Sequence, residues 1–306
     1  MRILVVGAGA VGGYFGGRLL EKGEDVTFLV REGRRNKLKD TGLAIDSVHG
    51  NAILFPNTMV AGEDAGPFSL IILSTKAYHL NGAIESIRRY VGKDTMILPL
   101  LNGLLHYDKL AAEFGAEKVI GGLCFIESTL DKEGRVIQTS NKHDIVFGEL
   151  NGVRSERISK VEAAFSGTKT GYRLSENISQ DLWNKYLFIA VMSGITTLMR
   201  APIGPIRELP EGKTTMDRLL QEIISVMKSA GAPFSEDIQN NIIEQINGLG
   251  FEMKSSMQRD MEKNLPVEAD HLQGYLLEMA RKVHLQVPVL ESVYANLKIY
   301  EKQLLV

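Results

Sequence analysis

The stretch Met1 to Gly23, MRILVVGAGAVGGYFGGRLLEKG, constrains this chain more than any other. Arg2 to Val6 is a short apolar, β-rich run with no polar interruption, as a strand buried on both faces of a parallel sheet requires. Gly7, Gly9 and Gly12 follow at G-x-G-x-x-G spacing. Val11, Tyr14, Phe15, Arg18 and Leu19 then recur at helical spacing until Lys22-Gly23, a basic last turn followed by a C-cap glycine. The order strand, glycine turn, helix is what a dinucleotide site needs. The first glycine permits the tight turn, the second lets backbone N–H groups approach a pyrophosphate, and the third allows close helix–strand packing. Gly7, Ala8, Gly9, Ala10, Val11 and Gly12 therefore form the candidate cofactor loop. Gly13, Gly16 and Gly17 serve tight helix packing.

A chain of 306 residues predicts two domains. Its 35 basic and 37 acidic residues give a net charge of −2, with no basic run long enough to track a phosphate backbone, so nucleic acid is not an expected partner. The one cysteine, Cys124, sits in the apolar run IGGLCFI and reads as a buried thiol in a reducing, cytoplasmic setting. No uninterrupted apolar stretch reaches the roughly 18–20 residues that cross a bilayer. The N-terminal apolar run is too short for a signal peptide and leads into a glycine turn rather than a cleavage site. The residues leave open a homodimer.

After Gly23, Asp25 to Val30 predicts a second buried strand, and its end bears on the cofactor. An acid about 20 residues past the glycines would take a ribose 2′-hydroxyl. Here Arg31, Arg34 and Arg35 follow, with Glu32 the only nearby acid. These cations suit a 2′-phosphate and favour NADP(H) over NAD(H). Gly42 to Pro56 reads as a hairpin excursion. Ser69 to Ser74 predicts a strand delivering Thr75 and Lys76 to the C-terminal sheet edge, where ligands of open α/β sheets gather. Lys76 is thus a candidate contact. Thr95 to Leu101 predicts the next strand, with Asn102-Gly103 at its tip, where an amide can reach a ribose hydroxyl or a substrate carbonyl. Strands are expected over Lys118 to Thr129, Arg135 to Thr139 and Asp144 to Leu150, and a helix over Ser155 to Phe165 to close the α/β half. Beyond Gly167 to Gly171 the period becomes almost wholly helical. The fold expected is therefore α/β: an N-terminal Rossmann-type dinucleotide-binding domain over 1–170 and an all-helical C-terminal domain over 171–306.

From Ser179 a long, largely apolar helix is expected, ended by Pro202 and Gly204. It is apolar nearly all round and carries Lys185 near its start, where an ammonium needs a partner or a shifted pKa. Ile189 and Ser193 lie one and two turns further along the same face. Helices over Met216 to Val226 and Ile238 to Ile246, one opened by Pro266, Glu268 and Asp270, and one from Pro288 to about Leu304 complete the set. The six histidines show no metal-ligand spacing, so no metal is expected, and no G-x-S-x-G elbow is present. Reduction of a carbonyl needs a hydride donor and an acid for the oxygen. The residues alone point to a nicotinamide-dependent reductase with Lys185 as acid.

Over nearly its whole length the chain resembles the ketopantoate reductase (2-dehydropantoate 2-reductase) family. The likeness rests on GAGAVG at Gly7 to Gly12, STKA around Lys76, LLNG around Asn102, LWNK ending at Lys185, and SSMQRDMEKNLPVEADHLQGYL from Ser255 to Leu276. It implies that Lys185 donates the proton and that Glu268 hydrogen-bonds around the ribose and the lysine. Ser256 would hold the substrate carboxylate, and Asn102 would touch cofactor and substrate. It also implies NADPH with Arg31 and Lys76 close to it, and a cleft between the domains. The chain departs from the family where asparagines normally grip the hydroxyl and carboxylate of ketopantoate: Ile189, Ser193 and Ile203 stand there. Replacing an amide by isoleucine forfeits its hydrogen bond. The expectation is reduction of a 2-keto acid, with ketopantoate, in pantothenate and coenzyme A biosynthesis, leading. A D-2-hydroxyacid dehydrogenase acting on a branched or aromatic 2-keto acid is the alternative, and an NADPH-sensing binding protein without turnover the alternative of another class.

Overall fold

The computed structural model describes residues 1–304. Residues 305 and 306 of the expected 171–306 domain lie outside the described residues. In chain order the first elements are β1 (Arg2–Val6), α1 (Ala10–Lys22), β2 (Asp25–Leu29), α2 (Glu32–Thr41), β3 (Leu43–Ser47), β4 (Ala52–Leu54), β5 (Asn57–Met59), β6 (Leu70–Leu73), α3 (Leu80–Ile87), β7 (Met96–Pro99), α4 (Leu105–Phe114), β8 (Gly121–Leu130), β9 (Val136–Gly148), α5 (Glu156–Phe165) and β10 (Gly171–Leu174). The helical half follows: α6 (Ile178–Met199), α7 (Ile203–Glu208), α8 (Pro210–Ser229), α9 (Ile238–Asn247), α10 (Ser256–Glu262), α11 (Tyr275–Lys282) and α12 (Pro288–Gln303). Asp270–Gly274 forms a π-helical turn that runs into α11.

Contacts divide the chain into two compact units. The first holds Met1–Leu101 and His106–Ser179; the second holds Asn102–Leu105 and everything from Gln180. The first unit is built on a parallel sheet in the order β5-β2-β1-β6-β7. Strands β1, β6 and β7 are apolar without alternation because both faces of the sheet are covered: all of β6 and β7, and β1 from Ile3 on, are buried. A second sheet runs β10-β9-β3-β4, with β8 antiparallel on β9. Helix α1 lies between the two sheets. A Cβ on its Gly16 would press on Val5 and Phe28 of the parallel sheet, and one on Gly17 on Ile45 and Leu43 of the other. One core joins them, from Ile3, Val5 and Phe28 through Tyr14 and Phe15 to Leu43, Ile45 and Val136.

The second unit packs α6 among its other helices, with Leu187, Val191 and Ile195 meeting Leu219, Ile223, Leu276 and Leu290 in one core. Leucine and isoleucine recur around the whole of α6, so it has no polar face to present to water.

Four expectations are corrected. The runs read as separate strands at Arg135 to Thr139 and Asp144 to Leu150 are one strand, β9, whose polar middle, Thr139 to Lys142, bulges out as extra residues opposite Glu127 of β8. Helix α5 does not close the α/β half, because β10 follows it and pairs in parallel with β9. The boundary accordingly falls after Ser179 rather than at 170, and β10 was unreadable as a strand because its Tyr172 and Arg173 are exposed at a sheet edge. The long apolar helix ends at Met199, and Pro202 caps a new helix, α7, in which Gly204 lies.

Candidate active site

In the first unit, β1 ends in a turn shaped by its glycines. Gly7 sits at φ +91° and its N–H donates to the Leu29 carbonyl oxygen at 3.0 Å, tying the turn to β2. A Cβ on Gly12 would run into Ser74 Oγ and the Gly7 carbonyl oxygen. Ser74 Oγ itself donates to the Val6 carbonyl oxygen at 3.1 Å, so neither neighbour is loose. Gly9 differs: it is the N-cap of α1, and a Cβ there would meet nothing within 4 Å. Protein atoms thus demand the third glycine, while the second keeps space clear beside a helix N-terminus. The first turn of α1 carries no acid, and its leading N–H groups have no intrahelical acceptor, which is the donor set a pyrophosphate needs. The residues present fit a dinucleotide.

The tips of β2 and β6 border this loop. Arg31 is exposed and N-caps α2. Arg35 is spent on Glu63 at 2.5 Å, whereas Arg34 is half-buried, with Nε and Nη2 finding no partner among the described residues. Lys76, half-buried, opens the 3-10 turn Ala77–His79. Thr75 precedes it with a buried Oγ1 that finds no hydrogen-bond partner among the described residues.

In the second unit the candidate residues gather around the π-helical turn. Lys185 is half-buried on α6. The next residue, Tyr186, is buried, and its hydroxyl donates to the Leu272 carbonyl oxygen at 2.6 Å; burial pushes that phenol far above its ordinary pKa, so it remains a donor. Glu268, half-buried, stands at the entrance of the turn, its carbonyl oxygen accepting from Leu272 N–H at 3.1 Å, while Gly274 N–H reaches five residues back to Ala269 at 2.9 Å. Asn102 and Gly103 approach the same turn. Gly103 is at φ +81°, and a Cβ on it would come within 2.9 Å of Leu272 Cδ2, so the asparagine's turn can rest there only with glycine beside it. Lys185, Asn102 and Glu268 are therefore all borne by segments fastened to one turn.

The remaining candidates are placed differently. Ile189 is half-buried. Ser193 is 2% exposed, and its Oγ accepts from Gln273 Nε2 at 2.8 Å; Gln273 is itself fully buried. Ile203 is fully buried in the core, its N–H bonded to the Met253 carbonyl oxygen at 2.9 Å. Ser256, the first residue of α10, is exposed, while its neighbour Ser255 caps that helix and lies 2.8 Å from Thr196 Oγ1. Sequence reasoning passed over Tyr186, Gln273 and the buried hydroxyl of Thr75. Only Thr75 carried a signal, its place at a strand tip. Among the described residues no group of three His, Cys, Asp or Glu side chains could hold a metal, and no helix is long and apolar enough to cross a membrane.

A parallel sheet with a dinucleotide turn, followed by a helical unit carrying a lysine on an apolar helix, defines an oxidoreductase that uses a nicotinamide cofactor. Family profiles agree: that of ketopantoate reductase PanE/ApbA matches residues 3–152 and that of its C-terminal domain matches residues 177–301. An oxidoreductase of Bacillus subtilis, YkpB, described as uncharacterized, is 48% identical over 99% of this chain and 100% of its own. A 2-dehydropantoate 2-reductase of Pyrococcus abyssi is 29% identical over 94% of each chain. The crystal structure of 2-dehydropantoate 2-reductase from Geobacter metallireducens superposes with a TM-score of 0.88 at 28% identity, covering 97% of this chain and 99% of that one. The chain belongs to the ketopantoate reductase family, oxidoreductases acting on CH–OH groups.

Proposed function

We propose that the protein reduces a 2-keto acid to the 2-hydroxy acid with NADPH, acting in the cytoplasm, and that ketopantoate, on the route to pantothenate and coenzyme A, is the first substrate to consider. The observation that carries this reading is the attachment of Lys185, Asn102 and Glu268 to one π-helical turn, through Tyr186, Gly103 and the Glu268 carbonyl. Two relatives at 28–29% identity bear the name 2-dehydropantoate 2-reductase, which supports the substrate. NADPH is favoured over NADH by Arg31 and Arg34, which remain for a 2′-phosphate once Arg35 is engaged by Glu63.

Reduced nicotinamide, when bound, supplies hydride to the carbonyl carbon. The protein has the rest to do. Lys185 Nζ gives its proton to the carbonyl oxygen as negative charge gathers there. The Glu268 carboxylate orients that ammonium, Asn102 aligns the carbonyl, and the Ser256 hydroxyl holds the substrate carboxylate. The test is steady-state oxidation of NADPH and NADH with ketopantoate, 2-ketoisovalerate, 2-ketoisocaproate and phenylpyruvate. Turnover with at least one acid and preference for NADPH is expected; no turnover across the panel defeats the reading.

A second substrate, a branched or aromatic 2-keto acid without the hydroxyl, is favoured by one set of observations. Ile189 offers no polar atom, Ile203 is sealed in the core, and the Ser193 hydroxyl is already held by Gln273.

A further inference from the structure

Thr75 stands where β6 ends, beside the glycine turn: its Cγ2 lies 3.7 Å from the position of a Cβ built on Gly7. The preceding residue, Ser74, is fully accounted for by its bond to the Val6 carbonyl oxygen. Thr75 Oγ1 is not. It is shut off from solvent and finds no hydrogen-bond partner among the described residues. A buried hydroxyl without a partner destabilises the protein that carries it, and such groups in a native fold call for an explanation. A valine, identical in shape and common on buried strands, would fill the place without that cost.

The sheet order supplies the explanation. With β2 on one side of β1 and β6 on the other, the chain reverses its direction of winding at β1, and a dinucleotide lies across that switch point. A dinucleotide laid there would bring its adenosine half to the residues after β2, Arg31 and Arg34 among them, and its other half to the residues after β6.

We propose that Thr75 is a cofactor-binding residue, its hydroxyl held unsatisfied in the free protein so that it can bond the pyrophosphate–nicotinamide-ribose half of the dinucleotide. This rests on the nicotinamide cofactor but on neither the choice of phosphate nor the identity of the keto acid. A hydroxyl kept for a ligand has a signature that a structural hydroxyl lacks: removing it improves the empty protein and harms only the loaded one.

The experiment is calorimetric titration of NADPH and of 2′,5′-ADP, which lacks the nicotinamide half, into wild type, Thr75→Val and Thr75→Ser, with the Tm of each free protein. Thr75→Val is expected to weaken NADPH by about tenfold, the loss of one hydrogen bond, while 2′,5′-ADP binding stays the same. Its Tm without ligand should equal or exceed that of wild type, and Thr75→Ser should recover NADPH affinity. Unchanged NADPH binding, an equal loss for 2′,5′-ADP, or a lower Tm in the free Thr75→Val protein would overturn the assignment. A wild type that binds neither ligand would instead remove the cofactor reading itself.

Discussion

Gln273 Nε2 donates to Ser193 Oγ at 2.8 Å, across 80 residues of sequence inside the helical unit, and lies 3.4 Å from the Ala190 carbonyl oxygen. The position two turns past Lys185 is thereby used to fasten α6 to the π-helical turn. Ser193→Ala should lower stability by about 1–2 kcal/mol, because it strands a buried carboxamide, and leave KM for the 2-keto acid within about threefold. Denaturant unfolding and steady-state kinetics check the two halves of this prediction. A large rise in KM at wild-type stability would place Ser193 on the substrate instead.

Of Ile189, Ser193 and Ile203, only Ile189 is half-buried rather than buried. A site that hydrogen-bonds a substrate hydroxyl rejects the analogue lacking it by about 10⁴-fold, whereas an apolar wall distinguishes the two weakly. Ketopantoate and 3,3-dimethyl-2-oxobutanoate differ by that one hydroxyl. Their kcat/KM values on the wild type should lie within about tenfold of one another, and Ile189→Asn should move the ratio toward ketopantoate. A wild-type ratio near 10⁴ would show that another group grips the hydroxyl.

The glycine turn separates fold from binding. Gly12→Ala forces a Cβ against Ser74 Oγ and the Gly7 carbonyl oxygen and should cost about 1–3 kcal/mol of stability. Gly9→Ala meets only open space in the protein. It should leave Tm unchanged and weaken NADPH by at least about tenfold by crowding the pyrophosphate. Paired melting curves and titrations decide it, and equal behaviour of the two variants would contradict the assignment of the space beside Gly9.

On the other side of α1, the Tyr14 hydroxyl and His143 Nδ1 are 2.7 Å apart, and the His143 ring stacks on His49 with centroids at 3.5 Å. Burial, the His49 ring and the Arg18 guanidinium hold His143 below the ordinary imidazole range, against the opposing pull of Asp144. A histidine pKa depressed by folding gives stability that is complete above the unfolded value, near 6.5, and is lost as pH falls through the folded value. Wild-type stability should therefore decline from pH 7 toward pH 5, and His143→Gln should flatten that decline. An unchanged slope in the variant would place the titration elsewhere.

The sequence disclosed what local pattern governs. β1 and α1 were legible to the residue at β1's ends and at Gly23, because a buried strand, three spaced glycines and a C-cap each have one conformational use. Lys185 stood out as the lone cation of a long apolar helix. What stayed hidden depended on partners far along the chain. Nothing near Ser193 announces Gln273, and the fate of Arg35 is decided by Glu63. β10 is a strand only because β9 is there to pair with it. The turn at Asn102-Gly103 was visible, but its docking on Leu272 was not, since the π-helical geometry that sets Leu272 against Gly103 has no residue code of its own.

The proposed reaction turns on protonation of the keto oxygen by the Lys185 ammonium. The measurement that bears on it most directly is kcat for NADPH oxidation by wild type and Lys185→Ala on the best 2-keto acid of the panel, with NADPH affinity and Tm of both. In Lys185→Ala, kcat should fall about 10²–10⁴-fold with cofactor affinity and melting unchanged. A variant retaining wild-type kcat while remaining folded and loaded would contradict it.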